Sequence, residues 1–274
     1  MRYPDYMSDT LRYCTLRLKF AVLAPLTECH PPALLNILTS VFRDAGLRLA
    51  SGREKRPKPM ARLAYPLPLG VGGLEEWADI TLETALGYPA EVITEMLKKN
   101  SPDGLEIIGV EQIPHYASTV DQLCEEAHWI WFCPNALFHA AKLKIDDFAG
   151  RDSFQITKTG KVEGKKGEKS IEVRGLVQDI RWDGAALKFS TRIARGQALN
   201  PIKILAAIVG IEPGQLGAVQ RERVVLKTDN KLSMSDKYAH KLRNLYEDAV
   251  LLESGANIKV YRDDEDSSVI IGEY

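Results

Sequence analysis

The sequence lacks the motifs of the common catalytic and cofactor-binding sites. Its 274 residues contain no P-loop, no G-x-S-x-G turn, no G-x-G-x-x-G loop and no H-E-x-x-H pair. They also contain no three cysteines at the C-x3-C-x2-C spacing that holds the cluster of a radical SAM enzyme. Cleavage of S-adenosylmethionine by that route is excluded, and we predict no cofactor.

Cysteine is scarce and widely spaced. The four cysteines are Cys14, Cys29, Cys124 and Cys133, and no two of them stand at C-x-x-C spacing. A disulfide framework or a structural zinc site is therefore not predicted. Reduced thiols are typical of a cytosolic protein.

Long hydrophobic runs and a large net charge are also missing. No stretch reaches the ~18 consecutive apolar residues that would span a bilayer, and the first residues, MRYPDYMSDTLRY, contain no apolar core of a secretion signal. We expect a cytoplasmic protein without a membrane partner. Because the net charge is −1, a polyanionic partner would have to meet a local basic patch.

Such a patch is present in residues 53–70, REKRPKPMARLAYPLPLG. We define the basic cluster as Arg53, Lys55, Arg56, Lys58 and Arg62. Two prolines stiffen this loop, which lowers the entropy cost of holding its cations in place, and arginine makes forked contacts to phosphate. We predict that the cluster binds a nucleic-acid backbone. The alternative is an ordinary solvated loop.

Hydrophobic periodicity predicts the same order of elements, β-α-β-β-α-β, in each half of the chain. The predicted strands are 16–24, 62–69, 75–83 and 104–113, then 127–133, 170–181, 186–194 and 220–227. In 62–69, Pro66 and Pro68 indicate an edge strand or an early exit from pairing. The predicted helices are 33–45 and 89–99, then 134–149 and 200–209. This order is typical of the ferredoxin-like unit.

We therefore predict an α+β fold with two tandem ferredoxin-like (βαββαβ) domains, 1–115 and 116–230. A C-terminal helix and an acidic tail follow in 231–274, and the Lys/Gly-rich stretch 158–169 is expected to be a flexible hairpin tip. Alternation places Trp129 and Trp131 on one face of their strand. Ile130 and Phe132 lie on the other face. Both faces are expected to be packed, one on helices and one on the partner domain, with an exposed base-stacking platform as the alternative.

His30 follows the first strand and precedes a helix that begins with proline. One interpretation is a turn residue bonded to a backbone carbonyl. The other is a general acid or base beside a bound phosphodiester, because histidine titrates near neutral pH.

Several segments carry a resemblance to a known family. From the first strand through AYPLPLG and EEWADI to KSIEVRGLVQDI and NPIKILAAI, roughly residues 14–228, the sequence resembles the radical-SAM-linked family. These bacterial proteins are built on a domain of unknown function and occur beside, or fused to, radical SAM proteins with a cobalamin-binding region. The resemblance implies a separately encoded radical SAM protein as a partner.

The chain departs from the family pattern at three places. Cys29-His30 stands where the family has Ser-His, and Arg174-Gly175 where it has Arg-Pro. In the loop before PLPLG, Arg56-Pro57-Lys58-Pro59 replaces Asn-Pro-His-Pro. Chemistry that needs two histidines is lost by this change, whereas anion binding survives it.

Three hypotheses follow for the function. The leading one is a non-catalytic accessory protein that binds RNA or presents a substrate to a radical SAM enzyme, in RNA modification. The second is a metal-independent ribonuclease-like enzyme that uses His30. The third is a protein-interaction module that docks a radical SAM partner without RNA.

The loss of the loop histidine predicts that the protein has no tight zinc or iron site. Lysine, with its protonated amine, is a poor ligand at the place where the family has histidine. Elemental analysis of purified, tag-free protein should therefore find metal well below one equivalent. A stoichiometric metal would overturn this prediction.

Overall fold

The computed structural model describes residues 14–52, 55, 57–83, 88–113, 117–162, 165–193 and 200–228. In addition it gives the backbone of 258–262 and 269–273, and within the main range it gives the backbone alone for 158–162 and 165–169. The chain divides into two compact units, Met1–Thr228 and Asp229–Tyr274.

The described residues in the first half of the larger unit form four strands and two α-helices. In chain order they are β1 (Cys14–Val22), α1 (Pro31–Asp44), β2 (Ala61–Leu63), β3 (Gly72–Leu82), α2 (Ala90–Lys99) and β4 (Leu105–Ile113).

In the second half, the part that the structure describes forms six strands and three α-helices. They are α3 (Val120–Leu123), β5 (Cys124–Phe132), α4 (Phe138–Ala149), β6 (Gln155–Val162), β7 (Lys165–Glu172), β8 (Val177–Asp183), β9 (Ala186–Arg192), α5 (Pro201–Val209) and β10 (Val219–Leu226). In the smaller unit, β11 (Ile258–Arg262) pairs with β12 (Val269–Glu273) in an antiparallel ladder.

Eight strands of the larger unit form one mixed sheet, so the fold class is α+β. The order is β4-β1-β3-β10-β5-β9-β8, with β2 on the free part of β3. Neighbours are antiparallel except β3 and β10, which run parallel through Gly72 and Gly73 opposite Gln220 and Arg221. Strands β6 and β7 form a separate hairpin.

The helices and one face of the sheet enclose a continuous hydrophobic core. Alternation along β1 and β3 buries Leu16, Leu18 and Ile80, and β5 buries Trp129 and Trp131 completely. The indole N–H of each of these two tryptophans has an acceptor. Trp129 Nε1 donates to Thr191 Oγ1 at 2.9 Å, and Trp131 Nε1 donates to the Leu216 carbonyl at 2.6 Å. The prediction of a packed face is confirmed for Trp129 and Trp131, and these two rings cannot serve as a stacking platform. It is wrong for the other face, where Phe132 is 49% exposed.

Three predicted segments differ from the structure. The strand expected over 62–69 ends at Leu63, because Pro66 and Pro68 have no N–H to donate to a ladder. The strand expected over 170–181 is interrupted by a 3-10 turn at Arg174–Leu176. The tip expected to be flexible over 158–169 is an antiparallel ladder that extends from Gln155–Glu172 to Val162–Lys165. The predicted helix over 233–253 lies outside the described residues.

A buried ion pair ties the two halves together where β3 meets β10. Arg221 is completely buried and donates from Nε to Glu76 Oε1 at 2.7 Å. Its Nη2 contacts Glu76 Oε2 and donates to the Tyr65 carbonyl at 2.5 Å. Burial raises the pKa of Glu76, and the Arg221 charge opposes that rise. A Cβ on Gly73 would overlap the Glu76 carboxylate, so only glycine fits there.

Replacing Arg221 with methionine should destabilise the protein strongly. The change leaves the Glu76 carboxylate buried without its partner, which costs about 3–5 kcal/mol. The double variant Arg221→Met/Glu76→Leu removes both charges. Its free energy of unfolding should fall clearly less than that of the single variant. Urea unfolding at neutral pH measures both. A single variant as stable as the wild type would contradict the role of this pair.

Candidate nucleic-acid interface

A cleft of about 430 Å³ lies on the sheet face of the first half that carries the polar side chains of β1 and β3. Thr15 faces Thr81 across these strands, and Arg62 faces Asp79 across β2 and β3. Opposed residues share one face of a sheet, so these four side chains point to the same side. The remaining lining comes from Gly52, Lys58, Pro59, Met60, Ala61, Ile113, Ala117 and Thr119.

Backbone pairing fixes the base of the basic loop at the rim of the cleft. The N–H of Gly52 donates to the Lys58 carbonyl at 2.9 Å, and the N–H of Met60 donates to the Ala50 carbonyl at 2.8 Å. Ser51 and Pro59 form a bridge between the two arms. The loop is therefore held by hydrogen bonds as well as by proline, and Lys58 has a defined place.

The segment 117–121 crosses the same face because a buried ion pair anchors it. Arg17 donates to both carboxylate oxygens of Asp79, at 2.9 and 3.0 Å. A further N–H of Arg17 donates to the Ser118 carbonyl at 2.8 Å. Asp79 also accepts from the N–H of Val120 at 2.7 Å. These hydrogen bonds occupy both oxygens of the Asp79 carboxylate, and the positive charge of Arg17 neutralises it.

The remaining polar groups of the cleft suit an oxyanion. With Asp79 neutralised, Lys58 and Arg62 are the cations among the lining residues. Arg62 contacts Asp121 at 3.7 Å with both side chains exposed, and such a surface pair contributes little. Thr119 Oγ1 is buried and has no hydrogen-bond partner among the described residues. The cleft thus offers two cations and threonine hydroxyl groups to a ligand.

The structure brings together two members of the predicted basic cluster, Lys58 and Arg62. Lys55 is exposed on the same loop but is not part of the lining. Arg53 and Arg56 lie outside the described residues. Of the basic cluster, the cleft therefore contains Lys58 and Arg62.

His30 caps a helix and is not a lining residue of the cleft. Its Nδ1 accepts the N–H of Ala33 at 3.1 Å, so His30 is the N-cap of α1. This differs from the predicted bond to a backbone carbonyl, because the first N–H groups of a helix need acceptors. The cap leaves Nε2 as the one ring nitrogen that could act on a substrate.

Sequence reasoning missed Arg17, Asp79 and Thr119 as parts of the site. A signal was present for the first two, since each charge stands between apolar residues of a strand, in LRLKF and WADIT. Charged residues are rarely buried without a partner, so opposite charges in two neighbouring strands indicate an ion pair. Thr119 carries no comparable signal.

Arg174, at the family's Arg-Pro position, closes the end of α4. Its guanidinium donates to the carbonyls of Ala149 at 2.7 Å, Arg151 at 3.0 Å and Val177 at 3.2 Å. A cation on the last carbonyls of a helix is favoured by the helix dipole. This arginine therefore has a structural role in the second half.

Two of the four cysteines, Cys124 and Cys133, are not activated nucleophiles. All four are free thiols. Burial raises the pKa of Cys124 to about 12 and also raises the pKa of Cys133. Both thiols are therefore protonated at neutral pH, and the thiolate is the reactive form.

Metal ligands and membrane-spanning helices were sought in the same described ranges. No group of three or more histidine, cysteine or acidic side chains there is placed to hold a metal ion. No described helix combines the length and the apolar character needed to cross a bilayer.

The fold and the cleft define an α+β protein with a polar, partly basic site. Residues 34–201, more than half of the chain, match a family described as "Uncharacterized protein conserved in bacteria (DUF2344)". The chain belongs to this family.

The other comparisons add little. No curated protein matches the chain. A solved structure, "Crystal Structure of a Cbf5-Nop10-Gar1 Complex", matches at 13% identity and a TM-score of 0.34. The match covers 83% of this chain and 53% of that one, so this chain spans about half its length. This likeness is too distant to carry an argument.

The capping role of His30 can be separated from catalysis by two substitutions. His30→Ala removes the acceptor and should lower the free energy of unfolding by about 1 kcal/mol. His30→Asn retains a side-chain acceptor at the N-cap and should keep most of that stability. Thermal or urea unfolding of the two variants measures the difference. Equal stability of both variants would argue against a cap.

Proposed function

We propose that this protein is a non-catalytic RNA-binding accessory protein that acts beside a separately encoded radical SAM enzyme in RNA modification. The basic loop holds the phosphate backbone without reading the sequence of bases. The partner follows from the resemblance of AYPLPLG and the neighbouring strands to the radical-SAM-linked family.

The observation that carries the proposal is the arrangement of charge in the 430 Å³ cleft. Its acidic residue, Asp79, is neutralised by Arg17, whereas Lys58 and Arg62 remain exposed. A fixed loop that presents cations beside open polar surface fits a phosphate backbone, which dominates the affinity of nucleic-acid binding. The unpartnered hydroxyl of Thr119 adds a donor for a phosphate oxygen.

We also propose that each half of the larger unit is a ferredoxin-like domain. The order β4-β1-β3-β2 in the first half recurs as β10-β5-β9-β8 in the second. In both halves the first and third strands are central and every pair is antiparallel. This repeated order supports the proposal.

Removing three cations of the loop should weaken RNA binding through its salt dependence. In the variant Lys55→Ala/Lys58→Ala/Arg62→Ala, up to three phosphate contacts are lost, each worth about 0.7 in the slope of log K against log salt on single strands. The slope should therefore fall by roughly 2. Stability should stay within about 0.5 kcal/mol, because the side chains are exposed. Titrations of labelled RNA at several salt concentrations measure the slope.

A control variant removes three positive charges from a different part of the surface. Lys98, Lys99 and Lys144 are exposed on α2 and α4, and their replacement by alanine should leave the slope close to that of the wild type. An unchanged slope in the loop variant would make the cluster an ordinary solvated loop. RNA cleavage without metal would favour the ribonuclease-like alternative, and absence of RNA binding at any salt would favour the protein-interaction module.

A further inference from the structure

The second half has an open sheet face with an aromatic side chain and unpaired cations. Along β5, Trp129 and Trp131 point into the core, so His128, Ile130 and Phe132 point away from it. Phe132, the last residue of β5, is 49% exposed. At about 3.3 Å per residue, His128 and Phe132 stand about 13 Å apart along the strand.

Cations lie on both strands that neighbour β5, beside His128, Ile130 and Phe132. Arg223 of β10 and Ser190 of β9 lie opposite His128, and Lys188 of β9 lies opposite Ile130. Arg181 of β8 lies opposite Lys188. Opposed residues share a face, so this face carries His128, Phe132 and three cations.

A second cleft, of about 500 Å³, opens among His128 and the three cations, and Phe132 lies outside its lining. Its charged and titratable lining consists of His128, Asp179, Arg181, Lys188, Glu222 and Arg223. Lys188 contacts Asp183 at 3.3 Å, and the Asp179 carboxylate accepts from the Ser190 hydroxyl at 3.1 Å. Among the described residues, Arg181 and Arg223 have no ion pair or hydrogen bond. Two arginines are thus free to bind an anion.

Two irregularities in the strands aim the charges into this cleft. The ladder of β8 shifts register between Gln178 and Arg181, and that of β10 shifts between Arg221 and Arg223. Asp179, inside the first bulge, has a left-handed φ of 51°. Bulges re-aim side chains and are frequent beside functional sites, and these two bulges border the same cleft.

The geometry points to this face as a binding surface for unpaired bases of single-stranded RNA. An exposed ring on a strand gives a base a surface to stack on, and neighbouring arginines bind the phosphates between bases. The carboxylates of Asp179 and Glu222 can accept hydrogen bonds from exocyclic amino groups of a base. This inference rests on the proposed function and adds the class of RNA that the protein selects.

The test compares a single-stranded 12-nucleotide RNA with the duplex it forms with its complement. Phe132→Leu keeps an apolar side chain but removes the ring, and it should weaken single-strand binding about 5- to 150-fold, the range for loss of one stacked base. Duplex binding should not change. Arg181→Gln/Arg223→Gln should lower the single-strand salt slope by roughly 1.4, for two lost contacts. The control Tyr88→Leu removes an exposed ring of the first half and should have no effect.

The outcomes separate this inference from the proposed function. If the loop variant lowers the slope while Phe132→Leu and the double arginine variant bind as the wild type does, the RNA-binding proposal stands and the open face is not a site. Equal weakening of single strand and duplex by Phe132→Leu would also overturn the inference. Wild-type protein that binds neither RNA would overturn both. Ultraviolet crosslinking of wild-type protein to the single strand should map to the peptide that contains Phe132.

Discussion

The buried pair of Arg221 and Glu76 is the constraint on which the architecture of the larger unit depends. It stands at the short parallel contact between β3 and β10. There, two residue pairs join the two four-stranded halves of the sheet. Taking both charges out of water is costly, and forked geometry with an added carbonyl acceptor compensates for that cost. The rings of Tyr65 and Trp129 lie 5.2 and 5.3 Å from the guanidinium. They add cation–π stabilisation from both halves.

Internal pairing of charge explains how a chain with a net charge of −1 can present basic clefts. Asp79 is held by Arg17 and by the N–H of Val120, and Asp179 is held by Ser190. Asp79 in the first cleft and Asp179 in the second thus have partners within the protein. Cations at the rims, such as Lys58 and Arg223, are exposed. Local potential, and not net charge, decides what such surfaces attract.

The two clefts differ in the contacts that they can offer to RNA. The first presents a fixed loop and hydroxyl groups, which suit a phosphate backbone. The second adds two carboxylates to its cations, and Phe132 lies outside its lining on the same sheet face, an arrangement that suits an unpaired base. Together they would favour an RNA with an unpaired segment, a form of substrate that an accessory protein could present to a modifying enzyme. His30, by contrast, has a sufficient structural role as the cap of α1.

The sequence by itself determined most of the helices and strands, because their periodicity reflects which side chains must be buried. The strand over 16–24 and the helix over 200–209 lie within two residues of β1 and α5, and the Asp183-Gly184 turn joins β8 to β9 as its composition indicates. It also identified Lys58 and Arg62 as candidate contacts to a nucleic-acid backbone. The early exit from pairing that Pro66 and Pro68 indicate does occur, whereas an antiparallel ladder stands where composition predicted a disordered tip over 158–169.

Only the tertiary structure decided which residues meet. Arg17 and Asp79 are 62 positions apart and Glu76 and Arg221 are 145 apart, so no local pattern links them. The parallel contact of β3 with β10, which merges the halves into one sheet, also has no signature in composition. Exposure of Phe132 beside the buried Trp131 follows from the helices that cover one face of β5 and leave the other open. These placements depend on long-range packing, which alternation along a single strand does not encode.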